Sequence, residues 1–435
     1  MKKLLKRIWN DKRGNVLILT AAAMPMVIGA AGLATDTVQW TVTKRQLQRA
    51  ADSAAFAGVY AEMQGQTVSN AVNTDLAHNN TTGLAIVGTP GITYPADTGT
   101  YSKAVRVELS VQRPLTFTAL FLSEPITITA AGTAAIVPVG EYCVVSLENT
   151  GATGITATGS ARLDLGCGMI TNSTSLDAAV ATGASTVDAS PIAAVGGIDT
   201  EGNWGDDTTF LPFTVAQPDP FASVNPSPPT PCNGGSIRIN SSGNVIGGGA
   251  SPISTDSSGR HTFGPGCYSD IDIGAKAKFE PGIYYINGGD FDLGSQADLI
   301  ATDGVTIVLT NISSSSTATI GNVDINAGAK YKIESPDSGT FKGIAIYQDR
   351  RATDTSSSSA SSPNKINGHA DAILEGALYF PSQQLTVNGT AGMNTACMQL
   401  VARRVYFSGT SDISNTCDSD SGASSFAGQH IRLVG

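Results

Sequence analysis

The chain has 435 residues and a net charge of −10, with only 14% charged and 6% aromatic residues. Its 48 glycines and mean hydropathy of +0.03 sit poorly with a coiled coil or a cytosolic helical enzyme, while 41% apolar residues are enough for a core. Phosphate contacts need clustered Lys and Arg, so an acidic chain of this kind excludes a nucleic-acid partner.

At about 150 residues per domain, the length predicts two or three units, or one unit plus a long solenoid. Residues 1–15 form a basic, cytoplasmic head. Lys2, Lys3, Lys6, Arg7, Lys12 and Arg13 against Asp11 give +5 before Gly14, which leaves −15 for the remainder. Residues 16–34, VLILTAAAMPMVIGAAGLA, carry no charge. At about 1.5 Å per helical residue they span about 29 Å, the thickness of a bilayer core. The basic flank predicts that everything beyond Asp36 is exported, and a membrane helix tolerates Pro25. Gly32-Leu33-Ala34 offers small residues for signal-peptide cleavage. The apolar run is longer than the usual core of about 7–15 residues, and the helical pattern continues past it, so a retained anchor is expected.

In the helix that follows, Leu47, Ala50, Ala51, Ala54, Ala57, Gly58 and Ala61 recur at three- and four-residue spacing as a small-residue stripe. Such a stripe permits close helix contact, either with the protein's own strands or with a neighbouring subunit.

The order RGN, apolar span, GLATDTVQW and KRQLQRAADSAAFAG resembles the TadE/TadG-like proteins of the Flp (Tad) pilus-assembly system over about residues 13–60. Arg13, Gly14, Asp36, Leu47, Gln48, Ala50, Ala51, Asp52, Ala54 and Ala55 carry the resemblance. Leu19 stands where pilin-like members processed by a prepilin peptidase have Glu, so the resemblance points to the TadG-like subgroup. It implies a single-pass protein of the bacterial inner membrane with its bulk in the periplasm or at the cell surface. Its partners would be other Tad components or pilin-like subunits.

Residues 35–140 read as an α+β module, pilin-like by analogy, with strands around Val105-Val107-Leu109-Val111 and from Ile126 to Val137. From 141 to 435 the texture becomes Gly/Ser-rich. The apolar anchors Ala157, Val180, Ile273, Leu293, Ile325, Ile366 and Val387 each have Ala four residues on: Ala161, Ala184, Ala277, Ala297, Ala329, Ala370 and Ala391. Phe407 has Ser411. Anchor spacings near 20 predict coils of a parallel β-helix, and a β-sandwich is the rival. Ser-rich insertions at 313–317 and 353–362 read as loops leaving the coil. The stretch 212–231 holds seven of the 20 prolines, so it cannot be central strand and reads as an extended surface crossing or linker. The segments PGIYYINGG, GTFKGIAIYQDR and GALYFPSQQLTVNG resemble the β-helical carboxyl-terminal parts of some TadG-like proteins.

Six cysteines lie beyond the span, in a compartment expected to be oxidising. Sequence neighbours make Cys143–Cys167, Cys232–Cys267 and Cys397–Cys417 the simplest of fifteen pairings. With no CxxC and four scattered His, neither zinc nor any cofactor is expected. His78, His261, His369 and His430 accompany no nucleophile motif. Many β-helices cleave polysaccharides through paired carboxylates, which nominates Asp206-Asp207, Asp290, Asp292 and Asp349, the last beside Arg350 and Arg351. Gly288-Gly289-Asp290 matches one copy of a Ca²⁺-binding repeat. Trp204 and Tyr347 are candidate sugar platforms. The expectation is a non-catalytic protein supporting pilus assembly or attachment, with a polysaccharide-modifying enzyme or a stand-alone adhesin as alternatives.

Overall fold

The computed structural model describes residues 15–79, 83–247, 249–354, 363–369, 371–389, 393–395, 397–409, 412–415 and 426–434. The chain divides into two units, one from residues up to Val137 plus those from His430, the other spanning Pro138–Gln429.

The first unit begins with helix α1, Asn15–Met63, followed by α2, Val68–Asn79. Strands β1 (Gly91–Thr93), β2 (Ser102–Arg113) and the start of β3 (Ile126–Ser146) form an antiparallel sheet. Val105, Val107, Leu109 and Val111 alternate inward and are at most 3% exposed, because successive side chains of a strand face opposite ways. The small-residue stripe packs inside this unit. Leu47, Ala51, Ala54, Gly58 and Ala61 are buried, with Ala50 and Ala57 at the margin. Glycine is required on both sides of the contact. A Cβ on Gly58 would come within 2.8 Å of Val105, and one on Gly132 within 2.7 Å of the Asp52 amide. Gln48 donates to the Ala131 carbonyl at 2.7 Å, and Lys44 donates to that of Thr129.

The second unit is mostly β, and its long sheet consists almost entirely of parallel pairs. In most pairs a strand joins the third strand after it, which builds three ladders whose successive rungs vary in spacing, with 20 residues from Ile273 to Leu293 and 41 from Ile325 to Ile366. Along the first ladder Ile239, Ile273, Leu293, Ile325, Ile366, Val387, Phe407, Ala157 and Ala181 stand in register. All are buried. The second ladder stacks Ala277, Leu299 and Tyr331, with Phe279 over Phe263. The third aligns Gly266, Tyr284, Ile307, Ile346, Leu378, Leu400, Val144, Met169, Ile192 and Phe210. Parallel ladders of this length exclude an antiparallel sandwich.

Most of the spacing anchors coincide with the first ladder, and one does not. Ala181, not Val180, occupies the rung. The small position four residues on is therefore Ser185, which is buried, whereas Ala184 is exposed. Both Val180 and Ala181 follow an apolar pattern, and only the stack discriminates between them. Ala161, Ala277, Ala297 and Ala329 are buried as expected; Ala370, Ala391 and Ser411 lie outside the described residues, as does most of the 353–362 insertion.

The order of rungs departs from the order of the chain. Strand β3 enters between the rung at Leu400–Ala402 and that at Met169–Thr171. From there the chain builds outward to Phe210–Leu211, and the Pro-rich segment then carries it to the opposite end. Coils from Ser236 onward return toward β3. The segment docks as it goes. Thr214 donates to Ala194, Gln217 and Asn172 exchange hydrogen bonds, and the Tyr379 and Tyr347 hydroxyls donate to Asp219 and to the Val224 carbonyl. Phe221 packs edge-on against Tyr379 and Phe426. The third ladder is thus covered on both faces, and its runs VTIVLT and IAIYQ are buried at every residue, with Thr306, Thr310 and Gln348 hydrogen-bonded inside.

Phe291 is fully buried in the first ladder. Phe291→Ala is expected to cost about 3–5 kcal/mol, read by chemical denaturation of the full chain in detergent. Gly132→Val is expected to cost about 1–3 kcal/mol by overpacking, appearing as earlier proteolysis in the first unit.

Candidate functional site

The nominated carboxylates lie at separate places, except that Asp290 stands close enough to Asp292 to repel it. Asp206 and Asp207 are exposed on a turn. Asp290 is a corner residue whose carboxylate accepts the Asn322 amide at 2.7 Å. The glycines beside it are steric. A Cβ on Gly289 would collide with the Ser269 carbonyl, and one on Gly321 with that of Gly289. Among the described residues, no three His, Cys, Asp or Glu side chains are placed to hold a metal ion.

Asp292 belongs to an outward row on the first ladder, where Asp272, Asp292 and Asp324 are stacked neighbours, with Arg238 before them and Lys365 after. Arg238 is drawn to Asp270 at 2.7 Å instead. Burial, then repulsion from Asp290, Asp272, Asp270 and Asp324, pushes the Asp292 carboxyl up to about 7.

Asp349 lies in a cleft of about 510 Å³ lined by Asn225, Pro226, Thr310, Ser313 and Arg351. Its carboxylate is held by Arg351 at 2.7 Å and by the Thr310 hydroxyl at 2.8 Å. Burial opposes ionisation there, yet these donors keep its carboxyl below the usual carboxylate range. It is the one carboxylate among the described residues lining the cleft. Arg350 serves the Pro-rich segment, donating to the Phe221 and Val224 carbonyls and lying 5.3 Å over the Tyr379 ring. Tyr347, expected as a sugar platform, is 0% exposed beneath that segment; the crossing covers the ring. Trp204 is half-buried, donates to the Asp199 carbonyl at 2.6 Å and packs against Phe210.

Cys143 and Cys167 are disulfide-bonded, and so are Cys232 and Cys267. The first pair joins β3 to the next coil. The second fastens the end of the Pro-rich crossing to the third ladder. Cys417, the expected partner of Cys397, lies outside the described residues.

A charged cluster has no counterpart in the sequence-based expectations. Glu148 is 0% exposed and accepts from Arg403 at 3.0 Å and Arg404 at 2.6 Å, while Arg404 also pairs with Asp354 at 2.6 Å. Burial works against the Glu148 charge. Thr150, Arg403 and Arg404 outweigh it and hold the carboxyl below its usual range. The cluster ties the coil after β3 to the last coil of the chain, across more than 250 positions of sequence.

In the first unit, α1 is long and apolar enough to cross a membrane from Leu19 onward. Asp36 follows the apolar run directly. It is 3% exposed and accepts the amides of Phe117 at 2.9 Å and Thr118 at 2.6 Å, plus the Thr118 hydroxyl at 2.7 Å. Desolvation opposes its charge, but the three donors hold the carboxyl below its usual range. Asp52, another residue of the resemblance, accepts from Gln48 beside Gly132.

Residues 14–62 match the family model described as "Putative Flp pilus-assembly TadE/G-like", so the amino-terminal resemblance stands and coincides with α1. No curated protein and no solved structure matches the chain.

Two carboxylates predict opposite pH responses. The Asp292 carboxyl is raised from an unfolded value of about 3.9, so its contribution is present below about pH 4 and is lost as pH rises toward 7. Asp292→Asn should therefore raise Tm at pH 8 and leave it unchanged near pH 4. The Glu148 carboxyl is lowered, so its contribution is present above the unfolded value of about 4.3 and is lost below it. Glu148→Ala takes the buried carboxylate away from Arg403 and Arg404, which keep Asp354 as a partner, and should cost about 1–3 kcal/mol at pH 7, read by denaturant titration.

Proposed function

We propose that the chain is a TadG-like, membrane-anchored envelope protein of the Flp (Tad) pilus system, acting by binding and not by catalysis. The observation that carries this is the TadE/G-like match over residues 14–62 on a helix able to cross a bilayer. The basic head is cytoplasmic and residues beyond Asp36 are periplasmic or surface-exposed, following the charge asymmetry of the flanks. The three-ladder unit is a parallel β-helix stapled by disulfides. It extends the chain as a stiff scaffold for pilus assembly or attachment. The non-catalytic reading draws support from Asp349 and Asp290, whose oxygens serve the fold's own donors.

The test is electron microscopy of a deletion strain beside its complemented parent, counting surface pili. Loss of pili on deletion, restored by the complementing gene, is the expected outcome. Normal pili would sink the assembly role, and an adhesion assay on the same strains would then decide whether attachment survives as the function.

A further inference from the structure

Besides α1, the loop between β2 and β3 exposes a run of large apolar side chains in the first unit. Residues 114–123, PLTFTALFLS, contain no charge and lie between Arg113 and Glu124. Leu120, Phe121 and Leu122 are 75%, 73% and 53% exposed. Single exposed apolar residues are ordinary, but three consecutive ones on a short helical turn form a patch that water disfavours.

The position of this patch along α1 identifies what covers it. The Phe117 ring occupies the space above Gly32, where any Cβ would collide with it, and Gly32 belongs to the last turn of the uncharged run. One turn further, Asp36 binds the amides of Phe117 and Thr118. Gln39 donates to Thr116 at 3.0 Å. Phe121 stacks edge-on against Phe117 with centroids 5.2 Å apart. The loop is therefore fixed at the level where the apolar span ends. Around it the helix also stays apolar and exposed, at Leu33, Val38 and Trp40. Trp at such a level is typical of the membrane–water interface.

We infer that residues 117–122 are a second membrane contact, an apolar wedge seated in the outer interfacial layer of the same bilayer that α1 crosses. The inference rests on the anchor reading above. Its chemistry is that of a lipid surface: Leu120, Phe121 and Leu122 enter the acyl boundary, while Asp36, buried behind them, satisfies the backbone amides that the turn would otherwise expose. Two contacts at one level fix the rotation and tilt of the helix, which one helix by itself leaves free. Asp36 is then a positioning residue, holding the wedge to the helix.

Depth-dependent fluorescence quenching tests this on the full chain in phosphatidylcholine vesicles. One reporter keeps only Trp40, through Trp9→Phe and Trp204→Phe. Two others add Trp40→Phe with either Phe121→Trp or Leu120→Trp, so that misfolding of one leaves the other. The expected result is quenching of all three by lipids brominated near the headgroup end of the acyl chain, with blue-shifted emission and protection from aqueous iodide. If Trp40 is quenched by bromolipid while both loop reporters are open to iodide, the wedge is overturned and the anchor stands. If Trp40 also escapes bromolipid, the anchor reading fails and the wedge with it.

Discussion

Every coil of the larger unit depends on its neighbours for a core. A rung such as Phe291–Leu293 has only three residues, with Phe291 and Leu293 turned inward. Those side chains are buried by Ile271 and Ile273 on one side and Val323 and Ile325 on the other. Stability then resides in the contacts between stacked parallel strands. The same dependence makes register exacting. A shift of one residue would turn a whole rung's apolar set outward.

That constraint explains the most unusual feature of the topology. A chain entering at one end could add coils in sequence, but here β3 enters inside the stack, with coils on both sides. The two sets meet where Leu400 faces Val144 and Phe407 faces Ala157. This junction joins segments far apart in sequence, so its closure costs much chain entropy. It carries a polar reinforcement, the Glu148–Arg403–Arg404–Asp354 cluster, in which Glu148 and Arg404 are buried. The Pro-rich crossing is the other consequence. Having built outward from β3, the chain must return to the far end, and a proline-rich segment without ladder hydrogen bonds can lie across the outer face of the third ladder.

The charges divide by what they face. Inward or corner carboxylates such as Glu148, Asp349 and Asp36 each have two or more donors, and their carboxyls are lowered. At Asp272 and Asp292 in the outward row, burial and stacked like charges raise the carboxyls instead. Identical chemistry in the sequence therefore ends in opposite proton affinities. That difference comes from burial and from which donors and charges the fold brings alongside each carboxyl.

The sequence alone determined the features that local pattern encodes. These are the uncharged span at 16–34, the small-residue stripe after it, alternating strands, the exclusion of proline from ladders at 212–231, and coil spacing near 20. Each depends on residues within one or two turns or rungs, so it is legible without a fold. The tertiary structure decided whatever depends on a partner distant in sequence. It set the register at Ala181 over Val180, the interior position of β3, the burial of Tyr347, and the attachment of Asp349 to Thr310. It also set the role of Asp36. The uncharged run at 114–123 was visible in the sequence, but only the contact of Phe117 with Gly32 relates it to the apolar span. Pattern records which side chains avoid water, and three-dimensional neighbours determine what they meet instead.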